Sequence, residues 1–189
     1  TADKDLMTGC TISVTGFQQA LDKAVKNAVE VKNVASVGSA ILTDVSGKDA
    51  TAENSGEAKA SSTYGVVALD KDGKVVFTQT DVAQNAVKFT TAGALDGEAM
   101  AVPTKAEKKD EYGMKKYSSI GKEWFEQNQA FDEWTVGKTS NEISDMEVTT
   151  NEAGKTVTAD KDLMTGCTMG VDSLQKVTVT AIADAAKLN

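Results

Sequence analysis

Eleven residues occur twice in this chain: TADKDLMTGCT fills Thr1 to Thr11 and again Thr158 to Thr168, an offset of 157 residues. A period of that length is one whole domain rather than a solenoid repeat of a few dozen residues. The expected organisation is therefore residues 1–33 as the C-terminal motif and helix of a preceding repeat domain, and residues 34–189 as one complete domain. The chain is expected to be part of a longer protein built of tandem domains. After each copy comes a polar cap and a helix-like run, GFQQALDKAVKNAVEVK after the first and DSLQKVTVTAIADAAKLN after the second. The helices diverge while the motif stays identical. Helical sequence drifts freely as long as its apolar stripe survives, so the motif is the part under chemical constraint.

Net charge is −8, there is no His, and every positive charge is a Lys, because the sequence contains no Arg. An acidic chain without Arg is a poor match to a phosphate backbone, so no nucleic-acid partner is expected. Absence of His removes His-dependent triads, His-ligated haem and His-containing zinc sites. Cys10 and Cys167 are the only cysteines and occupy the same slot of the two motif copies. Each is read as filling one small buried niche, with a disulfide between them as the alternative; two thiols are too few for a disulfide scaffold. No run approaches the roughly twenty apolar residues of a membrane span. Few aromatics and abundant Ala, Thr, Lys and Asp resemble the composition of exported bacterial surface proteins.

Apolar residues at Phe17, Ala20, Leu21, Ala24, Val25, Ala28 and Val29 predict an amphipathic helix from Phe17 to Lys32 with Thr15 as its cap. From Val34 the pattern turns β-like. VASVGSAILTDV is one strand, an Ala, Ser and Gly-rich stretch runs to Ser62, and TYGVVALD and KVVFTQTDV form a hairpin about Asp72-Gly73. NAVKFTT adds a further strand, and Pro103 with KAEKKDE makes a surface loop. The run SSIGKEWFEQNQAFDEW reads as a helix ended by Gly137, with Ile120, Trp124, Phe125, Ala130, Phe131 and Trp134 on its buried side. A shorter helix follows with Thr139 and Glu142 as a capping box. EVTTNEAGKTVTA is loop or edge strand, and a last helix starts at Asp172. Strands followed by helices, without regular alternation, predict an α+β fold with an antiparallel sheet packed against helices. DKDG near Asp72 is turn chemistry, since the later ligands of a calcium loop are missing, and no metal site is expected.

Both motif copies read D-L-M-T-G-C-T: Asp5, Thr8, Gly9 and Thr11 in the first, Asp162, Thr165, Gly166 and Thr168 in the second. This resembles the D-x-x-[ST]-G-A-T signature at which flavin transferases attach FMN, with Cys10 or Cys167 in place of Ala. The resemblance implies a covalent FMN on the last Thr of each copy, Thr168 and Thr11, through a phosphodiester bond. A phosphoester needs a hydroxyl on an accessible turn, and the Gly two residues earlier lets the backbone pass where a Cβ would clash. The helix that follows offers N–H groups toward a phosphate. Asp162 either orients the Thr hydroxyl or is read by the transferase, and Thr165 hydrogen-bonds the turn.

The segment from Glu111 to Ile143 is similar to flavinylated extracellular lipoproteins of Gram-positive bacteria, the PplA-like family. That resemblance implies an FMN-binding-domain-like fold and a cell-surface lipoprotein whose signal and lipid anchor lie outside this chain. It further implies a redox carrier rather than an enzyme, passing electrons from a membrane donor such as a quinol-linked dehydrogenase to extracellular acceptors. A flavin transferase would mature it. Kinship with FMN-binding subunits of sodium-pumping and ferredoxin-linked respiratory complexes is implied only through the acceptor motif. An isoalloxazine ring needs an apolar or aromatic wall, and Tyr112, Met114, Tyr117 and Trp124, with Gly113 and Gly121, offer one. Met114, Tyr117, Ser118, Ser119 and Trp124 are the candidate flavin contacts, beside lysines 115, 116 and 122. Individually, Trp124 and the other aromatics of the helix also fit plain core packing. The alternative function is a surface adhesion or ligand-binding module whose repeated motif is a structural turn. A small reductase lacks the G-x-G-x-x-G of a nicotinamide site.

Overall fold

The computed structural model describes residues 9–97 and 102–188, and the chain divides into two units, Thr1–Val31 and Lys32–Asn189. In the first unit, α1 (Thr15–Lys26) leaves Phe17, Leu21 and Val25 exposed, and no residue of the helix is buried. It ends earlier than the expected Lys32, and Thr15 is its first residue rather than its cap. With no packing to extend it, the helix stops at Asn27 ahead of β-branched Val29 and Val31, all weak helix formers.

In the second unit β1 (Ser36–Lys48), β2 (Gly56–Leu69) and β3 (Val75–Phe89) run antiparallel in sequence order. Pairing extends from Ser36↔Leu69 to Lys48↔Glu57 and from Gly56↔Phe89 to Leu69↔Val75, with one irregularity at Ala68/Leu69. The β2–β3 turn is the expected one: Gly73 has φ +77°, and Asp70 Oδ1 accepts the N–H groups of Asp72 and Lys74. NAVKFTT is not a separate strand but the end of β3. The Ala, Ser and Gly-rich stretch before Ser62 is likewise strand from Gly56, ordered by its neighbours on both sides rather than by its own weak propensity.

Helix α2 (Lys105–Lys108) replaces the expected loop; Thr104 and Glu107 form a capping box that the sequence reading passed over. Two 3-10 turns, Lys109–Tyr112 and Lys115–Tyr117, lead to α3 (Trp124–Thr135). That helix starts six residues later than the sequence suggested, because Gly121 takes φ +63° and Glu123 stands extended before the first turn, its N–H donated to Glu126 Oε2. Its buried face is also different: Gln127, Asn128, Asp132 and Thr135 are buried with Trp124 and Phe131, while Phe125, Ala130 and Trp134 are half-buried. Helix α4 (Ser140–Ser144) carries the predicted Thr139/Glu142 box. A two-stranded ribbon of β4 (Val148–Thr150) and β5 (Thr156–Thr158), then α5 (Lys161–Met164), α6 (Asp172–Ala183) and β6 (Ala186–Lys187) complete the unit. β6 adds to β1 at Ser36 and Val37, giving a four-stranded sheet in the order β3-β2-β1-β6. The fold is α+β. Helices α1 and α6 begin and end at positions 157 residues apart, as the repeat requires.

Helix α6 lies on β1 and β2, and α3 lies along β3. Two glycines make the first contact possible. A Cβ at Gly38 would collide with the carbonyl oxygen of Ala181, and one at Gly65 would come 3.0 Å from Val177 Cγ1. At the free edge of β3, Asn128 Nδ2 donates to the Thr80 carbonyl at 2.8 Å, while Asp132 Oδ2 accepts the Thr80 N–H at 3.1 Å. Two side chains thus stand in for a neighbouring strand. Asp132 Oδ1 also accepts the Thr80 hydroxyl at 2.7 Å.

Gly38→Ala should cost roughly 2–4 kcal/mol, because the obstacle is helix backbone and not a movable side chain; denaturant unfolding measures it, and an unchanged midpoint would refute the close contact. Burial pushes the Asp132 carboxyl up to about 7, against hydrogen bonds from Thr80 that favour ionisation. The folded protein therefore keeps a proton that the unfolded chain has released between about pH 4 and pH 7, so this group makes stability fall as pH rises through that window. Between about pH 5 and pH 8 the fall should be roughly 2–3 kcal/mol. In Asp132→Asn, which keeps one oxygen to accept the Thr80 N–H but cannot titrate, urea unfolding should show a flatter profile.

Candidate functional site

The second copy of the repeated motif builds a turn whose residues divide by task. Thr158 Oγ1 accepts the Asp160 N–H, and Asp160 Oδ1 caps α5 by accepting from Asp162 N at 3.0 Å and Leu163 N at 2.9 Å. These bonds hold the Asp160 carboxyl below the usual carboxylate range, chiefly through Leu163 N–H. Thr165 Oγ1 donates to the Asp162 carbonyl at 2.8 Å, the turn bond expected of it. Gly166 is buried, and its missing Cβ is what admits Ala130, whose own Cβ would be 2.7 Å away. Its backbone needs no positive φ, so close approach and not turn geometry requires glycine here. Cys167 is fully buried and free, its thiol pushed up to about 11 by desolvation; Cys10 is also free. Asp162 is exposed, and its carboxylate has no partner among the described residues. It does not orient the Thr168 hydroxyl.

Thr168 follows, and its backbone is fixed by one side chain from α3. Gln127, 1% exposed, accepts the N–H groups of Thr168 at 2.9 Å and Met169 at 3.1 Å through Oε1. Its Nε2 donates to Ser118 Oγ at 3.0 Å and the Lys122 carbonyl at 3.1 Å. One amide therefore ties the motif to the 3-10 segment. Glu123 anchors that segment from the other end, accepting Met114 N–H at 2.8 Å and Lys115 N–H at 3.0 Å. The Thr168 hydroxyl, by contrast, is loosely engaged: its protein neighbours are Gln127 Oε1 at 3.4 Å and Ser119 Oγ at 3.5 Å, both at the outer limit of hydrogen bonding.

The hydroxyl opens on a cleft of about 900 Å³, at the upper end of the size usual for cofactor pockets. All five loop and helix candidates, Met114, Tyr117, Ser118, Ser119 and Trp124, line it with Thr168. Tyr112 does not; its ring stands behind Trp124, centroids 6.4 Å apart. Further lining comes from the β4–β5 ribbon, Asn151 and Ala153 to Thr156, and from Asp44 of β1. The start of α6 adds Asp172 and Ser173. Lys105 of α2 reaches in beside Trp124. The sequence reading missed Gln127, Lys105 and the ribbon. Gln127 carried a usable signal, since it is a polar residue between Trp124 and Phe131 on the stripe expected to be buried.

In the first unit Thr11 and Gly9 are exposed, and nothing lies within 4 Å of where a Gly9 Cβ would stand. Asp5 and Thr8 lie outside the described residues.

Gln127→Leu leaves four backbone or hydroxyl groups without their amide partner and should cost about 2–4 kcal/mol. Amide exchange should accelerate at Thr168 and Met169 before it does in the sheet; equal protection in variant and wild type would contradict the clamp. Comparison with protein-family models, curated proteins and solved structures finds no match to this chain.

Proposed function

We propose that the second unit is an FMN-binding-domain-like electron carrier with FMN joined to Thr168 Oγ1 through a phosphodiester bond. The observation that carries this reading is the contrast at Thr168: a backbone held by a buried amide, and a hydroxyl without a strong protein partner at the mouth of a large cleft. A structural turn residue would commit its hydroxyl to the turn, as Thr165 does. A modification acceptor must leave it available in a fixed place.

The surrounding residues fit the group in size and chemistry. Trp124, Tyr117 and Met114 offer flat, polarisable surface, and Ser118 and Ser119 offer hydroxyls near the attachment point. The Asp162 carboxylate, exposed and without a bond among the described residues, is available to a flavin transferase, while Thr158, Asp160 and Gly166 shape the turn presented to it. The bound flavin would supply reversible uptake of electrons; the chain supplies a tether, a wall and partial shelter from water. We take the physiological role to be transfer from a membrane donor of the quinol-linked dehydrogenase class to extracellular acceptors, by a lipoprotein at the surface of a Gram-positive bacterium. A covalent tether suits that setting because a diffusible cofactor would be lost. The protein is then a carrier and not an enzyme in its own right.

The test is intact mass under denaturing conditions after coexpression with a flavin transferase, for the chain and for Thr168→Ala and Thr11→Ala. An adduct of FMN less one water should appear and its main fraction vanish in Thr168→Ala. Under limiting transferase Thr168 should load ahead of Thr11, which stands exposed. No adduct on any variant, with an active transferase, would leave the motif a structural turn and favour a surface adhesion or ligand-binding module.

A further inference from the structure

Lys105 is a cation with no ion pair among the described residues, placed in the wall of the cleft. Its Nζ stands 5.3 Å from the Tyr112 ring centroid and 5.4 Å from that of Trp124. Two ring faces attract a cation, but far less than a carboxylate would in the same partly desolvated place. The charged groups acting on it are mostly of its own sign: Lys59 from β2, Lys108 from its own helix and Lys155 from the β4–β5 ribbon, against Asp81 from β3. Asp44 of β1 lines the cleft, and a smaller adjoining cavity of about 120 Å³, together with Lys105. Desolvation first, then Lys59, holds the ammonium down to about 8. A cation kept charged at neutral pH against such surroundings is an electrostatic deficit that an anion in the cleft would repair.

We propose that the Lys105 ammonium is the charge partner of the flavin ring, stabilising the negative charge that the ring carries when reduced. The proposal rests on the flavin reading above. Two electrons and one proton from a quinol-class donor give the ring one net negative charge, while the donor becomes the quinone and its second proton goes to solvent. Lys105 forms and breaks no bond in this; it stays protonated at Nζ and favours the reduced side. A negative neighbour also raises the affinity of Nζ for its proton. Above about pH 8 the lysine is neutral beside the oxidised ring and protonated beside the reduced one. Reduction then takes up one proton more than it does below that pH.

The experiment compares the flavinylated chain with Lys105→Met and Lys105→Arg, each checked for its adduct by intact mass and for its fold by circular dichroism. Equilibration with a redox dye of known potential at about pH 7 should give a reduced-to-oxidised ratio about tenfold lower in Lys105→Met, and near wild type in Lys105→Arg. Above about pH 8 the wild-type ratio should fall more steeply with pH than that of Lys105→Met. Loaded, folded Lys105→Met with an unchanged ratio and slope would overturn the role of Lys105 while leaving the flavin reading intact. Should Lys105→Met not fold, the same comparison is made with Lys105→Gln. Absence of an adduct on wild type would sink both.

Discussion

A buried polar group must find partners, and in the second unit that requirement falls most heavily on one face of α3. α3 turns Gln127, Asn128, Asp132 and Thr135 inward, and each meets a group that would otherwise be stranded. Thr135 Oγ1 lies 2.8 Å from Thr78 Oγ1; Asn128 and Asp132 satisfy both backbone groups of Thr80; Gln127 satisfies Thr168 and Met169. Among the described residues no buried side-chain nitrogen or oxygen lacks a partner. The helix is thus joined at one side to the sheet and at the other to the repeated motif, so the position of the Thr168 turn is inherited from the edge of β3. Apolar packing alone, which tolerates sliding, would not fix it so closely.

The second fixed relation is steric. α6 rests on β1 and β2 where Gly38 and Gly65 carry no side chain, and its first residues form part of the cleft. The motif therefore sits between two helices, each located against the sheet by a different kind of interaction. α3 is located by hydrogen bonds that demand particular partners, and α6 by a shortage of space. The long β2–β3 pairing supplies the rigid floor common to both.

Much of this was legible in the sequence for identifiable reasons. Periodicity marked β1, the β2–β3 hairpin and α6, and Thr139 with Glu142 marked α4, because those signals are local. The start of β2 at Gly56 was not legible: GEAKASS has little strand propensity and is ordered by pairing on both sides. Nor was the polar burial of α3, since amphipathic reasoning assigns apolar residues to the inside and here four of the six buried side chains are amide, carboxylate or hydroxyl. The site was legible where the repeat pointed to it. Met114, Tyr117, Ser118, Ser119 and Trp124 came from one contiguous stretch, whereas Lys105, Asp44 and the β4–β5 ribbon reach the cleft from distant segments, which no spacing in the chain reveals.

The two margins of the sheet are finished differently. Along β3 the outward backbone groups are taken by Gly137 and Lys138 at Val75, by α3 at Thr80 and by Asp96 at Lys88. Along β1, β6 covers Ser36 and Val37, and beyond them the outer margin has no backbone partner among the described residues. The β1 margin is thus the longer uninterrupted one, since α3 and the Asp96 turn break up that of β3. Edge-to-edge pairing through the β1 margin joins two molecules about a twofold axis and uses that margin up, so the contact closes on itself instead of growing into a fibre.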